Sequence, residues 1–279
     1  MIKKLFTILF GLFVLTSLSH AETYKIYMGV PAGSLSDNYT RKMAQLLEKE
    51  TGDNFVVINK PGADQLVGYR EFLAESKTNP NVIYHSGTGT HVTSYVLYPD
   101  LKLDPLADTK SLFVLSRVHY MVCAPKDSTI TGLNDIKGKL NIGSSNATSA
   151  MIIRLSNFDP EVQMIPFKDD QEVFVNLLSK TIPVAMCVSI NPMIKAHKDT
   201  VKVVANFDHL LVGAVGYHVP KDFSEDKAKR INAAMNKAIQ DPEYRSWLID
   251  NTGTPIGGGP ENYDRILSTF KRNLYSKLK

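Results

Sequence analysis

Strand-like and helix-like segments alternate through the first third of the chain. Three short β-rich runs and two stretches with apolar residues at helical spacing predict strands at residues 24–30, 55–58 and 82–85 and helices at 36–50 and 67–76. Gly52 is a typical helix stop after the first of these helices. The third strand runs into a polar glycine loop at residues 86–90. Such alternation predicts a parallel sheet with helices on both faces.

The same pattern restarts in the second half of the chain. It predicts strands at residues 139–143, 162–167, 184–188 and 201–205 and helices at 150–155, 171–179 and 193–197. Two successive α/β units indicate two lobes, and the long apolar stretches 111–124 and 210–219 are the expected crossovers between them. The tail is predicted to be helical at 224–240, 242–251 and 260–278, and the apolar stripe of its first helix is interpreted as core packing.

The N-terminal segment is typical of a secretory signal peptide. Two lysines precede a mostly apolar stretch at residues 5–18, and Ser19 and Ala21 are small residues at the −3 and −1 positions of a cleavage site. The stretch is short for a membrane span, which needs about 20 residues, although an uncleaved anchor is the alternative. We expect cleavage after Ala21 and a mature chain that begins at Glu22.

Composition and charge narrow the choice of partner. The chain is 43% hydrophobic and 22% charged, with a formal net charge of +4, values that are ordinary for a globular domain. Basic residues are scattered except at 271–279, where a helical segment would present them to solvent. We therefore expect no nucleic-acid partner.

Two cysteines, Cys123 and Cys187, lie in apolar strand-like runs. In an exported protein such a pair can form a disulfide. The alternative is two buried small hydrophobic residues. The sequence leaves both possibilities open.

Known catalytic and metal-binding motifs are missing from the sequence. It contains no G-x-S-x-G, H-E-x-x-H or Walker motif, and residues 87–89 supply only half of a dinucleotide-binding fingerprint. His85 and His91 flank the glycine loop without an evident third metal ligand. Asp37, His91 and Ser86 are a conceivable triad, but the sequence gives no geometry for one. We expect no cofactor, no metal and no enzymatic activity.

Polar loops follow the predicted parallel strands. They occupy residues 33–37, 62–65, 86–91 and 144–149. Ligands of open α/β sheets bind at the carboxyl ends of the strands, where helix N-termini favour anions. Ser36 or Asp37 is the expected N-cap of the first helix. Any one loop could be an ordinary capping turn, but four loops at one edge favour a ligand cleft between two lobes.

Five motifs occur in order along nearly all of the chain after Ala21. They are VPAGS at residues 30–34 with Asp37 and Arg41, VVINKPGA at 56–63, His91 with Leu97, Tyr98 and DPLAD at 104–108, IPFK at 165–168, and a tail with INAA at 231–234, DPE at 241–243 and PIGG at 255–258. Together they resemble the receptors of tripartite tricarboxylate transporters, the TctC/Bug-type periplasmic solute-binding proteins.

The resemblance implies an α/β, two-lobed type II periplasmic binding protein, or Venus flytrap, in which each lobe is a mostly parallel sheet flanked by helices. It implies a periplasmic monomer that binds a small carboxylate and passes it to the permease subunits of a tripartite transporter. The ligand-binding residues carried over from the family are Gly33, Ser34, Asp37, Ala63, Ser86, Thr88, His91, Thr148, Ser149 and Ser189.

Departures from the family pattern bear on the ligand. Side chains replace family glycines at Ser34, Asp64, Gln65, Asn146 and Asp169, and Ser189 replaces a usual acidic residue. Each change alters the shape or the charge of the expected cleft, so the family's specificity does not transfer. Asp64 either selects a cationic group on the ligand or faces solvent.

The expected lobe boundaries follow from the two α/β units and the resemblance. Lobe I comprises residues 22–119 and 217–279, and lobe II residues 120–216. Function is expected to proceed by hinge closure around the ligand. The alternatives are a binding protein that signals to a membrane sensor and a periplasmic enzyme that acts on an acidic substrate.

Overall fold

The computed structural model describes residues 21–94, 100, 102–155, 160–208, 211–253 and 255–278. The predicted signal peptide, apart from Ala21, lies outside the described residues, as do Leu97 and Tyr98 of the family motif. Among the described residues, no helix combines the length and apolar character that a membrane span requires.

Nine strands are seen in the described part of the chain. They are β1 (Thr23–Met28), β2 (Asn54–Asn59), β3 (Val82–Gly87), β4 (Thr109–Pro125), β5 (Asn141–Ser144), β6 (Gln163–Pro166), β7 (Val184–Val188), β8 (Val201–Asn206) and β9 (Val212–Pro220).

Helices flank these strands and form the tail. They are α1 (Leu35–Thr51), α2 (Leu66–Ser76), α3 (Pro105–Asp108), α4 (Ala147–Leu155), α5 (Asp170–Leu178), α6 (Pro192–Ala196), α7 (Glu225–Ala238), α8 (Pro242–Thr252) and α9 (Pro260–Leu278). The described residues also form a π-helix at Gly89–Thr93 and a 3₁₀ turn at Leu133–Asp135.

The strands form one mixed sheet in the order β2-β1-β3-β9-β4-β7-β5-β6, and β8 pairs with β4 outside this path. Strand β1 is parallel to β2 and β3, and β5 is parallel to β6 and β7. The predicted α/β class is therefore confirmed. Strands β4 and β9 add antiparallel pairs that join the two parallel groups.

Strand β4 runs through both groups. It is 17 residues long. Its first part pairs with β9 from Thr109 to His119, and its last part pairs with β7 and β8 from Tyr120 onward. The change of partner makes β4 the covalent and hydrogen-bonded link between the two parallel groups. The division into lobes I and II stays a prediction.

The tail helices cover the first parallel group. The stripe that the sequence predicted on α7 is buried, and this helix packs against α1 and β4. Helix α9 packs against β4 and β9. Tyr244 of α8 donates a hydrogen bond to the main-chain oxygen of Tyr39 at 2.9 Å, which ties the tail to α1. These contacts hold α1, and with it the loop that precedes it, against the sheet.

The glycine loop after β3 differs from the expectation. Only Thr88 separates β3 from the π-helix Gly89–Thr93. The side chains of this short helix are almost fully buried, including three threonine or histidine residues at 0–1% exposure: Thr90, His91 and Thr93. Glycine and β-branched threonine have low helix propensity, so the local pattern predicted a loop where tertiary packing imposes a helical turn.

Cys123 and Cys187 form a disulfide between β4 and β7. Their Cα atoms are 6.2 Å apart, within the range that a disulfide spans. Both residues are buried in an apolar cluster with residues of α5. Of the two possibilities that the sequence left open, the structure therefore has the bridge.

We predict that replacing both cysteines by alanine lowers the free energy of unfolding by about 2–4 kcal/mol, because the bridge restricts the unfolded chain. Urea unfolding of the variant and of the oxidised and reduced wild type would measure this. The reduced wild type should unfold at the same urea concentration as the variant. Detection of two free thiols in the denatured, unreduced wild type would contradict the bridge.

Candidate functional site

Three loops leave the same edge of the sheet because β1, β2 and β3 are parallel and end within two residues of one another. Met28 of β1 lies beside Asn59 of β2 and His85 of β3. Two glycines then allow the first two loops to touch. A Cβ at Gly29 would overlap the backbone of Gln65, and one at Gly68 would lie 2.7 Å from the Cα of Gly29. The loop after β1 is thereby packed against the start of α2.

The loop after β1 ends in a capped helix. Ser34, rather than the expected Ser36 or Asp37, is the N-cap of α1, and its hydroxyl accepts from the Asp37 N–H at 3.3 Å. The Ser34 carbonyl accepts from the Asn38 N–H at 2.9 Å. The N–H groups of Leu35 and Ser36 cannot bond within the helix, and they mark its positive end.

Asp37 holds this loop in shape. Its carboxylate accepts from the Gly33 N–H at 2.8 Å, from Arg41 Nε at 2.9 Å and from Asn59 Nδ2 at 3.0 Å. Burial alone would raise the pKa of Asp37, but the bonds from Arg41, Gly33 and Asn59 bring the pKa below its ordinary value. With 2% of its surface exposed, Asp37 positions Gly33 and its neighbours.

The loop after β2 has an unusual backbone. Ala63, Asp64 and Gln65 have φ angles of 46°, 51° and 72°, a left-handed conformation that favours glycine. Tyr84 donates to the main-chain oxygen of Gln65 at 3.1 Å, and Ser94 donates to Asp64 Oδ2 at 3.2 Å. Ala63 is exposed and Asp64 is half-buried at this edge.

The Ser86 and His91 side chains form a buried pair beneath the third loop. The Thr109 hydroxyl donates its proton to the Pro105 oxygen at 2.6 Å, so at 3.2 Å it must accept from His91 Nε2–H. Nδ1 of the neutral His91 ring then accepts from the Ser86 hydroxyl at 2.6 Å. Both of its ring nitrogens are used within the protein.

His91 belongs to a group of three buried histidines. Its ring stacks on His218 with centroids 3.5 Å apart, and His85 Nε2 lies 2.6 Å from the Tyr39 hydroxyl. Burial lowers the pKa of His85 and of His91 to about 3, and burial with the neighbouring His91 and His85 lowers that of His218. All three are therefore neutral near pH 7, and His91 supports the loop from beneath.

The conceivable triad is not assembled. Asp37 bonds Gly33, Arg41 and Asn59, whereas His91 bonds Ser86 and Thr109. Ser86 is fully buried. Within the described ranges, no group of three or more histidine, cysteine, aspartate or glutamate side chains is arranged so that it could hold a metal ion.

The two parallel groups meet at three hydroxyls. The Tyr120 hydroxyl lies near Thr88 and Thr148: burial raises the pKa of Tyr120 to about 12, and these two neighbouring hydroxyls oppose the rise. A Cβ at Gly89 would be 3.0 Å from Thr148 Oγ1. The start of α4 thus packs directly against the π-helix.

The loop after β5 is also capped by its own side chains. Asn146 Oδ1 accepts from the Ser149 N–H at 2.8 Å, and Ser145 donates to Asp170 Oδ1. Burial raises the pKa of Asp170, against the effect of the Ser145 bond. Thr148 and Ser149 are buried, with 3% and 1% exposed. Asp170, at the start of α5, therefore lies beside this loop.

Ser189 is placed differently from the other expected site residues. Its N–H donates to the His119 oxygen at 2.9 Å, and its hydroxyl accepts from the His119 N–H at 3.0 Å. Ser189 thus extends the pairing of β7 with β4. Its two bonds place it at the linking strand, whereas the other residues lie on the loops at the ligand edge or in the elements that adjoin them.

Several residues of this edge were not singled out from the sequence. Asn59 and Tyr120 are the main ones. Ser94 and Thr109 form further side-chain hydrogen bonds described above, and His218 contributes a ring contact. Asn59 carried a signal, because it ends β2 at the ligand edge. Tyr120 lies within a long apolar run, and the local sequence there does not distinguish a tyrosine whose hydroxyl belongs to a site from one whose ring packs in the core.

We predict that Asp37→Asn lowers the free energy of unfolding by about 1–3 kcal/mol, because charge-assisted bonds to Gly33 and Arg41 are lost. Urea unfolding measures the loss, and amide exchange at Gly33 should accelerate. Asp127→Asn is the matched control, since Asp127 pairs with Lys180 in solvent. Equal effects of the two variants would show that Asp37 does not hold the loop.

We predict that stability falls as the pH drops from about 6.5, the ordinary histidine value, towards 3. In this window the histidines of the unfolded chain bind protons, while the buried histidines of the folded chain stay neutral. Each buried histidine therefore lowers the free energy of unfolding by about 1.4 kcal/mol per pH unit. Urea unfolding across pH would show a smaller slope for His91→Gln. His197→Gln, on a turn after α6, should keep the wild-type slope, and equal slopes for both variants would contradict the prediction.

No family model matches the chain. Among curated proteins it is similar to a UPF0065 protein of Bordetella pertussis, at 25% identity over 204 residues that cover 66% of this chain and 61% of that protein. A second UPF0065 protein, from Agrobacterium vitis, is 24% identical over 252 residues, 78% of this chain and 71% of that protein. The chain thus spans under two thirds of the Bordetella relative.

Solved structures share the fold. The periplasmic binding protein BugD has a TM-score of 0.70 at 15% identity, over 92% of this chain and 95% of its own. MatC of Rhodopseudomonas palustris, with bound malate, has a TM-score of 0.74 at 15% identity, over 93% of this chain and 99% of its own. Another R. palustris protein, with adipate, has a TM-score of 0.75 at 15% identity, over 93% of this chain and 97% of its own. Relatives and fold together confirm the resemblance to TctC/Bug-type periplasmic solute-binding proteins that the motifs indicated.

Proposed function

We propose that this protein is a periplasmic solute-binding protein that captures a small carboxylate and delivers it to the permease subunits of a tripartite tricarboxylate-type transporter. Structural neighbours with bound malate and adipate support the ligand class. The neighbours are binding proteins, and the buried Ser86–His91 pair lacks the exposed nucleophile that an enzyme of this kind would need.

One observation carries this proposal. The loop after β1 is built to present the positive end of α1 at the edge where the other loops also emerge. The N–H groups of Leu35 and Ser36 are suited to a carboxylate oxygen, with Asp37 holding the loop from behind. An arginine is not required, because helix N-terminal donors stabilise an anion on their own.

The expected site residues divide into two roles in this proposal. Gly33, Ser34, Ala63 and Thr88 lie on loops at this edge, Thr148 lies in the first turn of α4, and all five would border the ligand. Asp37, Ser86, His91, Ser149 and Ser189 would position those loops, since their described bonds run within the protein.

Closure of the two lobes would trap the ligand. The proposed boundary between residues 119 and 120 coincides with the change of partner along β4. Tyr120, Thr88 and Thr148 would form contacts that exist only in the closed arrangement. A ligand that bridges the lobes then stabilises the closed form through its additional contacts there.

A thermal-shift screen of the mature chain against di- and tricarboxylates, aromatic acids and amino acids tests this function. A ligand that binds only the folded state adds about 2.7 kcal/mol at 100 times its Kd. A concentration-dependent rise in Tm is therefore expected for at least one carboxylate. No rise with any of them would contradict the proposal.

Two glycine variants test closure with the ligand so found. Gly89→Ala should weaken binding several-fold, because its Cβ would meet Thr148 Oγ1 at 3.0 Å and overpacking costs about 1 kcal/mol or more. Gly132→Ala is the matched control, since nothing lies within 4 Å of its Cβ position. Equal affinities for the two variants would contradict closure at the π-helix.

A further inference from the structure

Glu22, the first residue of the expected mature chain, is held by several hydrogen bonds. Its main-chain oxygen accepts from the Asn54 N–H at 2.8 Å, where the pairing of β1 with β2 begins. Its carboxylate accepts from Lys227 Nζ at 2.6 Å and from the Tyr24 hydroxyl at 2.6 Å. These bonds give the main-chain nitrogen of Glu22 a defined position at the start of the first strand.

The Glu22 nitrogen contacts a buried carboxylate. Its N–H donates to Asp53 Oδ1 at 3.0 Å. Asp53 is 4% exposed and lies in the short connection between α1 and β2, where its own N–H donates to the Thr51 hydroxyl at 3.2 Å. Arg230 of α7 donates to the other carboxylate oxygen, Oδ2. Each oxygen of Asp53 therefore has its own donor, and the donor to Oδ1 is the Glu22 main chain.

Removal of the signal peptide would change the charge of this nitrogen. Hydrolysis of the Ala21–Glu22 bond by a signal peptidase consumes one water and yields the carboxylate of Ala21 and the ammonium group of Glu22. An α-amino group is mostly protonated at pH 7, because its ordinary pKa is about 8. A neutral amide donor thus becomes a charged donor, and hydrogen bonds between charged partners are about twice as strong.

The neighbouring charges come from three elements and are paired. The Glu22 carboxylate pairs with Lys227, and Asp53 pairs with Arg230. Burial and the hydrogen bond to Glu22 raise the pKa of Tyr24 to about 12, so this residue is neutral near pH 7. The side chains of Glu22, Lys227 and Arg230 are 36%, 29% and 43% exposed, against 4% for Asp53. Since water screens the three exposed groups most, the ammonium group would interact mainly with Asp53.

We propose that Asp53 is the binding site for the α-ammonium group that cleavage after Ala21 creates on Glu22, and that this ion pair makes the processed chain more stable. The inference rests on the expected cleavage site and is independent of the solute. The pair would connect the start of β1 to the tail helix α7 through Asp53 and Arg230. A gain in stability that appears only after cleavage would favour the folded state of the exported chain.

N-terminal acetylation tests the role of the charge. An acetylated Glu22 keeps an amide N–H for Asp53 and loses only the positive charge. At pH 7 the free-amine form of the chain that begins at Glu22 should have an unfolding equilibrium constant about threefold to thirtyfold lower than the acetylated form. This range lies between the effects of a buried and an exposed charged pair. Urea unfolding of the two forms measures both constants.

The difference between the two forms should depend on pH. Asp53 would raise the pKa of the α-amino group above its ordinary value of about 8. A group whose pKa is higher in the folded chain stabilises it fully below the unfolded value, and the effect is lost as the pH rises through the folded value. The two forms should therefore converge in stability above about pH 10. Titration of the Glu22 Hα resonance by NMR gives the α-amino pKa directly.

Asp53→Asn and Asp222→Asn are matched carboxylate variants. Asp53→Asn keeps an oxygen acceptor without the charge, so acetylation should no longer change the stability of this variant. Asp222 is exposed and follows Pro220 at the end of β9, so Asp222→Asn should keep the wild-type difference. If Asp53→Asn does not fold, the α-amino pKa of the wild type decides the question.

The outcomes bear on the ion pair separately from the solute-binding function. Equal stability of the acetylated and free-amine forms at pH 7, or an α-amino pKa at or below about 8, would overturn the inference. An exported chain whose mass shows a start other than Glu22 would overturn it as well. The solute-binding function would stand in each case, because ligand-induced rises in Tm test it. A difference that is lost in Asp53→Asn and at high pH, and kept in Asp222→Asn, supports the inference.

Discussion

The continuous strand β4 is the constraint on which the rest of the structure depends. One extended segment pairs with β9 and then with β7 and β8, so a single strand connects the two parallel groups. Separating β4 from either group would break the hydrogen bonds that pair it with β9 or with β7 and β8. The change of pairing partner falls between His119 and Tyr120, so the proposed closure would bend the strand there. The Tyr120 side chain lies next to Thr88 and Thr148, so the strand that links the groups and the contact between them involve the same residue.

A buried polar layer lies beneath the loops and gives them their shape. Ser86, His91 and Thr109 satisfy one another, and Asp37 ties Gly33 to Arg41 and Asn59. Such groups are costly to bury unless they are bonded, so their presence under the loops fixes a particular arrangement. Several residues that resemble a site in sequence therefore form their side-chain bonds within the protein, and in the proposed function the loop backbones would contact the ligand.

Much of the fold could be predicted because hydrophobic periodicity reports local structure directly. The β5–α4 and β6–α5 units and the buried stripe of α7 follow from spacing alone. The π-helix could not be predicted, since packing around His91 overrides the weak propensity of Gly89 and its threonines. The N-cap was misplaced by two or three residues because Ser34, Ser36 and Asp37 are all good caps, and only the tertiary position of Gly33 decides among them.

The expected site residues were harder to predict than the loops that carry them. Sequence shows which residue follows a strand, but it does not show whether a side chain turns outward, as at Asp64, or inward, as at His91. The difference is electrostatic as well as steric. An inward carboxylate such as Asp37 must be neutralised by protein donors, and Arg41 and the Gly33 N–H supply them here. Asp64 and Gln65 stand where the family motif has glycines, and their backbone retains the left-handed conformation that glycine favours.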